Sequence, residues 1–370
     1  MKDRFSFEEE YHSKDRKEHR KERKRVTLRD RSKFKKSDQD QLKKRQAALP
    51  ENLMRGRVLA ISPEGILVDA SGDLITCSLK GALKKEKGRI KNLIAVGDFV
   101  HFEMKGEKEG AIAFIEERSS VLSRADNYMR QKEQLIAVNI DQVLITTSVV
   151  FPVLKPALID RYIIAARKGK MEPIIVVNKI DLLETPPENI PASAVEKERE
   201  LYRRFLQTYV ALGISVFPVS THTGEGIGKL RDAMHQKTSV FSGQSGVGKS
   251  SLINCLMGTS LEVGKVIART NKGAHTTSAT HLVPIEGGGF CIDTPGIKSF
   301  GLWDLSKEEI QSHFSEIQEA SAGCKFLNCS HRQEPVCAVK AAVENGEISP
   351  LRFASYCALI EDLSSEHTLR

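Results

Sequence analysis

The segment from Gly243 to Ser250 has the residue types and spacing to hold phosphate groups, since it reads G-x-x-x-x-G-K-S. Its glycines let backbone N–H groups turn toward a phosphate chain, and the start of a following helix adds partial positive charge. Lys249 would reach the β and γ phosphates, and Ser250 would ligate Mg²⁺. A predicted strand over Thr238–Ser242 and a predicted helix from Lys249 surround this loop, so we predict a nucleotide site here.

A second segment, Asn178-Lys-Ile-Asp181, could read a guanine base. The Asp181 carboxylate can accept from both the N1–H and the N2 amino group of guanine, which adenine does not offer, so it would select GTP over ATP. The stem of Lys179 would lie along the base, and Asn178 would tie the loop to its neighbours. Alone, the tetrapeptide would be better explained as an ordinary strand-to-helix turn, but beside a phosphate loop it favours guanine recognition. The segment Ser220–Gly226 could add a backbone N–H to the guanine carbonyl, although such clusters mark turns anywhere.

A third segment, Asp293-Thr-Pro-Gly296, ends a predicted strand and could sense the γ-phosphate. Asp293 can hold Mg²⁺ through a water while the Gly296 N–H meets the phosphate. The alternative is a plain turn at the strand end. Upstream, a mobile loop could bring the hydroxyl of Thr277 to Mg²⁺, with Thr276 as second choice.

The residue that would position the attacking water is not in its usual place. Position 297 is Ile, where Ras-like enzymes carry the Gln that orients this water. His275 is the nearest candidate for that role, and a solvated loop histidine is the competing interpretation. We therefore expect slow hydrolysis of GTP to GDP and phosphate, with Lys249 stabilising charge and a partner accelerating the reaction.

Three cysteines and a histidine crowd into 14 positions as C-x₄-C-x-H-x₅-C. Three thiolates and one imidazole complete a tetrahedral Zn²⁺ shell with no open position, which predicts a structural site rather than a disulfide framework. Scattered cysteines are the alternative. The predicted ligands are Cys324, Cys329, His331 and Cys337. The other four cysteines, in apolar or helical context, are predicted core residues: Cys77, Cys255, Cys291 and Cys357.

The elements that must position these residues follow from the apolar pattern. Five short strands between about residues 53 and 118 predict a small antiparallel barrel of oligonucleotide-binding (OB) type, with or without a ligand. From about Val121 strands and helices alternate, which predicts a mainly parallel sheet covered by helices. Helices follow over Lys307–Ala320, Cys337–Glu344 and Leu351–Asp362. We expect an arm over 1–50, the barrel over 51–120, the nucleotide domain over 121–303 and a helical zinc domain over 304–370.

The net charge of +8 over 370 residues comes from one end of the chain, since the first 48 residues hold 18 basic and 10 acidic side chains. A uniformly basic protein is therefore excluded. Residues 1–50 bury too little apolar surface to fold alone, so we expect a disordered or transiently helical arm. It is either a solvated tail or an arm that binds phosphate backbones.

The sequence also leads to expectations about the cellular compartment and about membrane attachment. No stretch approaches the roughly 20 apolar residues that a membrane helix needs, and the N-terminus lacks the apolar core of a secretory signal. We expect a cytoplasmic protein with no membrane partner.

The order of the motifs is unusual, since the guanine-reading segments precede the phosphate loop. In most small GTPases the phosphate loop comes first, so this chain is circularly permuted. By its motif order and its cysteine cluster, the chain closely resembles the circularly permuted, small-ribosomal-subunit-dependent GTPases of ribosome biogenesis. The resemblance covers roughly residues 55–365. Two positions depart from the family pattern: Ala274 stands where an Arg is common, and Thr221 where Ala is usual.

The resemblance implies an α/β P-loop GTPase between an OB barrel and a helical zinc domain. It implies binding to the small ribosomal subunit and its rRNA, late subunit maturation, and hydrolysis stimulated by the subunit. We expect a monomer. Its implied catalytic residue is His275, and its implied GTP-contacting residues are Asn178, Lys179, Ile180, Asp181, Gly243, Gln244, Ser245, Gly246, Val247, Gly248, Lys249, Ser250 and Ser251.

Three alternatives stay open from the sequence. The chain could be a GTP-regulated RNA-binding module in which turnover is incidental, or a signalling GTPase with protein partners only. It could also be an ATPase of the same loop class, which Asp181 argues against.

Overall fold

The computed structural model describes residues 52–81, 83, 93–125, 133–257, 280–285, 287–293, 306–326 and 328–368. The arm expected over 1–50 lies outside the described residues. Residues Met54–Arg370 form one compact unit, and the finer domain borders at 120 and 303 remain predictions. Within the part of the chain that the structure describes, no helix is long and apolar enough to cross a membrane.

The first five strands close into a barrel in the order β1-β2-β3-β5-β4, which confirms the predicted barrel, although β3 and β5 pair in parallel and not antiparallel as expected. Its strands are β1 Met54–Ser62, β2 Gly65–Ala70, β3 Asp73–Leu79, β4 Phe99–Met104 and β5 Glu109–Ile115. Alternate residues of β2 and β3 point inward, because successive side chains of a strand face opposite sides. Gly56 is required where β1 meets β2, since a Cβ there would lie 2.5 Å from the Val68 side chain.

A hairpin that the sequence reasoning missed follows the barrel, with β6 at Val121–Ala125 and β7 at Glu133–Val138. It ties the barrel to the next domain: the Val138 N–H donates to the Val96 carbonyl at 2.9 Å. We interpreted this stretch as the start of the alternating strands and helices. An apolar run of five or six residues does not show which strand it pairs with, so the pairing of β6 with β7 could not be predicted.

The next sheet has six strands in the order β10-β9-β8-β11-β13-β12, and all pairs are parallel except β12 with β13. The strands are β8 Gln142–Ser148, β9 Glu172–Asn178, β10 Val216–Pro218, β11 Thr238–Ser242, β12 His281–Pro284 and β13 Phe290–Asp293. Its helices are α1 Pro156–Lys168, α2 Ala192–Ala211, α3 Ile227–Met234 and α4 Lys249–Met257. The predicted α/β alternation is thus confirmed.

Two apolar clusters lie in this α/β region, and each includes residues from alternate positions of the strands. Ile145 and Ile175 belong to one cluster, whereas Leu144 and Val176 belong to the other. A strand buried on both faces is typical of a parallel sheet whose helices cover it on either side. The carboxyl ends of β8, β9, β11 and β13 therefore meet at one edge of the sheet.

The C-terminal part consists of helices α5 Lys307–Ser312, α6 Ser315–Ser321, α7 Ala338–Glu344 and α8 Pro350–Thr368. The prediction of one helix over Lys307–Ala320 is wrong, because Phe314 leaves the helical conformation with φ −110° and ψ 77°. This break lets the Phe314 ring reach the interior, where it is fully buried 5.6 Å from the Tyr356 ring.

Candidate nucleotide site and metal centre

The predicted phosphate loop follows β11, and two of its glycines have no room for a side chain. Gly243 has φ +143°, and a Cβ there would lie 2.0 Å from the Thr146 carbonyl oxygen. Gly248 has φ +91°, and its Cβ would lie 2.3 Å from the Asn178 side-chain nitrogen. Residues that carry a side chain rarely adopt such positive backbone φ angles, so glycine is required at both positions. The loop is therefore packed against the strands on its side of the sheet.

Lys249 begins helix α4 and folds back over the loop. Its ammonium group donates to the carbonyls of Gly243 at 2.7 Å and Gln244 at 2.6 Å. Ser250 and Ser251 occupy the exposed first turn of the same helix. A lysine ammonium and a hydroxyl at one helix N-terminus form a suitable environment for anionic oxygens. The remaining loop residues are Ser245 and Gly246, both exposed, and Val247, which is buried.

Asn178 joins the predicted guanine-reading tetrapeptide to the phosphate loop. Its side chain is fully buried and donates from Nδ2 to the Val247 carbonyl at 2.9 Å. Its Oδ1 accepts from the Thr221 backbone N–H at 3.3 Å. One amide side chain thus connects the loops after β9, β10 and β11. The predicted tie between the tetrapeptide and its neighbours has a direct counterpart in this contact.

Lys179 makes a second connection between the same loops. Its backbone is left-handed with φ 64°, and its ammonium group donates to the Phe151 carbonyl at 2.8 Å and the Gly246 carbonyl at 2.7 Å. Partial burial lowers the pKa of Lys179. Ile180 and Asp181 follow in a short 3₁₀ helix, Ile180–Leu183, and both are half-buried.

The weakly predicted segment after β10 is an ordered turn. The buried Ser220 hydroxyl accepts from the backbone N–H groups of His222 at 3.2 Å and Thr223 at 3.1 Å. The Gly224 N–H closes the turn on the Ser220 carbonyl. These bonds hold the Thr221 backbone beside Asn178, to which its N–H donates. The predicted contact of this segment with the guanine carbonyl remains a prediction.

Asp293 is the last residue of β13, which pairs in parallel with β11. Its backbone therefore ends at the sheet edge that carries the phosphate loop. His275, Thr276, Thr277 and Gly296 lie outside the described residues, as do the rest of the loops over 264–279 and 296–303. Their predicted contacts remain predictions.

The four predicted metal ligands come together in the C-terminal part. Their ligand atoms all lie within 4.8 Å of one another. The Cys324 and Cys337 sulfurs are 3.9 Å apart, and they lie 3.6 Å and 3.5 Å from His331 Nδ1. A tetrahedral site with Zn–S of about 2.3 Å and Zn–N of about 2.0 Å requires sulfur pairs about 3.8 Å apart and sulfur–nitrogen pairs about 3.5 Å apart. The donor set therefore fits a tetrahedral ion, with Cys329 as its fourth member.

The loop that carries these ligands is held from two directions. The Glu334 carboxylate accepts from the backbone N–H groups of Ser330 at 2.6 Å and Arg332 at 3.1 Å. The backbone hydrogen bond from Ser330 makes the largest contribution to lowering the pKa of Glu334, to about 2. Lys307 on α5 donates to the Cys329 carbonyl at 2.9 Å. Burial raises the pKa of the Cys329 thiol to about 11, so a bound cation would be needed to hold its thiolate.

Comparison with known proteins identifies the family. The model of the RsgA GTPase family matches residues 115–303. The chain belongs to the RsgA GTPase family. It is 36% identical over 293 residues to a "Small ribosomal subunit biogenesis GTPase RsgA" of Bacteroides fragilis, covering 79% of this chain and 91% of that protein. It is 38% identical over 322 residues to the Chlorobaculum tepidum protein of the same name, covering 84% and 98%.

Two solved structures have a similar fold. The crystal structure of YjeQ from Thermotoga maritima matches with a TM-score of 0.64 and 29% identity, covering 84% of this chain and 98% of that one. The structure of YloQ, a circularly permuted GTPase, matches with a TM-score of 0.63 and 27% identity, covering 85% and 96%. The chain is thus a circularly permuted GTPase of the RsgA family, as its motif order predicted.

One contact in the nucleotide region of this RsgA-family chain was not foreseen. Phe151, in the loop after β8, supplies a carbonyl to Lys179. Strand β8 lies between β9 and β11, so its carboxyl-end loop must emerge between the two predicted nucleotide motifs. That order is invisible in the sequence, because it depends on which strands pair.

Proposed function

We propose that the protein binds the small ribosomal subunit and hydrolyses GTP during late subunit maturation, with hydrolysis stimulated by the subunit. The observation that supports this most directly is the junction at Asn178 and Lys179, where the two predicted nucleotide motifs bond to each other. We propose the small ribosomal subunit as the partner because the relatives are named for its biogenesis. The subunit would be recognised through its rRNA.

The proposal assigns one contact to each predicted nucleotide motif. Asp181 would accept from the guanine N1–H and N2 groups, and the Lys179 stem would lie along the base. The backbone N–H groups of the phosphate loop and Lys249 would stabilise charge on the γ-phosphoryl group during in-line attack by water. His275 would position that water, and Thr277 and Gly296 would approach from the two loops outside the described residues.

Two metal ions belong to this proposal. Mg²⁺ bound with GTP supplies Lewis-acid stabilisation of phosphoryl charge, and the Ser250 hydroxyl with the Asp293 carboxylate is a suitable oxygen donor set. Zn²⁺ would be held by Cys324, Cys329, His331 and Cys337. With four protein ligands it has no open position, so we assign it a structural role.

Site and partner together suggest a cytoplasmic monomer. The nucleotide motifs are all supplied by one chain, and the cysteines are free thiols, as is usual in a reducing compartment. We propose no membrane partner.

The deciding experiment measures the GTP hydrolysis rate of the full chain alone, with purified small subunits, and with large subunits as the matched control. We expect acceleration by small subunits only. Equal rates in all three samples would remove the ribosomal role and leave GTP binding in place.

Two variants separate the remaining alternatives. His275→Ala should reduce the stimulated rate while GDP affinity is unchanged, and an unchanged rate would favour a binding module with incidental turnover. Asp181→Asn should abolish the preference for GTP over ATP, because the amide cannot accept both guanine donors. A preference that survives this change would refute the assigned role of Asp181.

A further inference from the structure

The loop between β8 and α1 exposes an aromatic ring beside the nucleotide motifs. The Phe151 side chain is 68% exposed, and Val153 two residues later is 50% exposed. Single exposed apolar residues are common on proteins and need no explanation by themselves. The position and the anchoring of Phe151 distinguish it from such residues.

The loop is held in a costly conformation. Val150 has φ +65°, a region that β-branched residues rarely enter. The buried Glu198 on α2 fixes both flanks of Phe151, since its Oε1 accepts from the Val150 N–H at 3.3 Å and the Leu154 N–H at 2.6 Å. The Ser148 hydroxyl donates to the Pro152 carbonyl at 2.7 Å. Such strain persists where surrounding bonds enforce it, and it is most frequent at ligand sites.

The anchored loop contacts both nucleotide motifs. The Phe151 and Gly246 carbonyls share the Lys179 ammonium group, and the centre of the Phe151 ring lies 5.9 Å from the Lys179 nitrogen. A Cβ on Gly246 would be 3.7 Å from the Pro152 ring. A nucleotide that extends from Asp181 to the phosphate loop must pass beside this ammonium group, and the Phe151 ring stands next to that path.

We propose that Phe151 is a nucleotide-binding residue whose ring forms the outer wall of the guanosine site and packs against the sugar. This inference rests on the proposed GTP site. The two carbonyls fix Lys179 from the loop side, and the ring covers the bound nucleoside from the solvent side. The wall would slow the escape of the nucleotide and would act equally on GDP and GTP, because it touches neither the β- nor the γ-phosphate.

The test compares three variants of the full chain: Phe151→Ala, Phe151→Tyr and, as the matched exposed control, Val153→Ala. Calorimetry gives the GDP and GTP affinities, and stopped-flow fluorescence with a labelled GDP gives the two rate constants. We expect Phe151→Ala to weaken both nucleotides about tenfold, as loss of a half-covered aromatic ring predicts, through faster dissociation. Phe151→Tyr and Val153→Ala should stay within about twofold of the unchanged protein.

Three results would overturn the proposal. Phe151→Ala could bind GDP as tightly as the unchanged chain, or Val153→Ala could lose as much affinity. The loss could also arise from slower association alone, which would indicate a distorted loop rather than a lost contact. Failure of the unchanged chain to bind GDP would instead refute the proposed function itself.

Discussion

The barrel and the C-terminal helices both pack on the GTPase region, but the two contacts use different chemistry. Between barrel and sheet, Arg57 of β1 lies between two aromatic rings. Between the C-terminal helices and the sheet's own helices, Arg352 of α8 lies in a buried network of acids. One guanidinium is held mainly by stacking, and the other by ion pairs.

At the barrel contact, the Arg57 guanidinium carbon lies 5.0 Å from the Phe99 ring centre of the barrel and 4.8 Å from the Phe290 ring centre of β13. It donates one hydrogen bond, to the Asn139 carbonyl at 2.7 Å. Its Nε has no hydrogen-bond partner among the described residues. Burial lowers the pKa of Arg57 to about 10, and the nearby Asp141 carboxylate only partly opposes this shift.

At the helical contact, Arg352 bonds to the Asp160 carboxylate on α1 and to Glu316 of α6 at 2.7 Å. Asp160 also accepts from the Tyr209 hydroxyl of α2 at 2.8 Å. The guanidinium carbon lies 4.1 Å from the centre of the Phe314 ring. Burial acts to lower the pKa of Arg352, but the Asp160 and Glu316 carboxylates raise it above its usual value.

The two contacts should respond differently when their arginine is replaced. Removing one member of a buried ion pair leaves a charge without compensation, so its cost is large. A stacked guanidinium loses only contacts and one hydrogen bond, and its aromatic neighbours stay satisfied. We therefore expect the helices to be attached rigidly and the barrel to be attached more weakly.

The largest expected effect comes from the four residues of the C-terminal part that could hold a metal ion. Cys329→Ser should abolish binding of one zinc ion per chain and destabilise the helices by several kcal/mol, a fraction of the roughly 10–16 kcal/mol that structural zinc supplies in small zinc domains. Metal analysis and thermal unfolding measure the two effects. Cys357→Ser, a half-buried cysteine outside the cluster, is the control. Equal metal content and stability of both variants would contradict the metal assignment.

The next largest effect concerns the ion-pair network. Arg352→Ala should lower the free energy of unfolding by about 3–5 kcal/mol, because Asp160 stays buried without its partner. Urea unfolding measures the change. The double variant Arg352→Met with Asp160→Asn should lose less than the single one, since no charge is then left alone. A double variant that is worse than Arg352→Ala would contradict this account.

The stacked contact at the barrel should cost less to break. Arg57→Ala is expected to lower the free energy of unfolding by about 1–2 kcal/mol, from two cation–π contacts and one hydrogen bond. Arg57→Lys should not restore it, because an ammonium group cannot stack flat between two rings. The control is Lys108→Ala, which removes an exposed cation directly before β5 of the same barrel. A loss as large as that of Arg352→Ala would abolish the contrast between the two contacts.

Structural features that depend on a local sequence pattern could be predicted from the sequence. The barrel strands alternate, the strand Thr238–Ser242 comes directly before a glycine-rich loop, and the metal ligands lie within 14 positions. Contacts set by tertiary packing were missed. Phe290 meets Arg57 only because β13 pairs beside β12, and the helix break at Phe314 exists because its ring has a buried place beside Tyr356. No local pattern records either fact.

The smallest effect concerns acid sensitivity within the barrel itself. Glu116 accepts from Arg55 at 2.7 Å and from His101 at 2.8 Å, and the Arg55 hydrogen bond is the main cause of its lowered pKa. A carboxyl whose folded pKa is depressed contributes stability above its usual 4.5, and this contribution is lost as pH falls from there through the folded value. For this partly exposed group we expect a contribution of less than about 1 kcal/mol to the free energy of unfolding.

Urea unfolding at pH 7 and pH 3.5, both chosen test values, measures how far the free energy of unfolding falls between the two. The fall should be smaller for Glu116→Gln than for the unchanged chain. Glu109→Gln, an exposed glutamate of β5, should keep the full fall. Identical falls in all three would place the acid sensitivity outside the Glu116 ion pair.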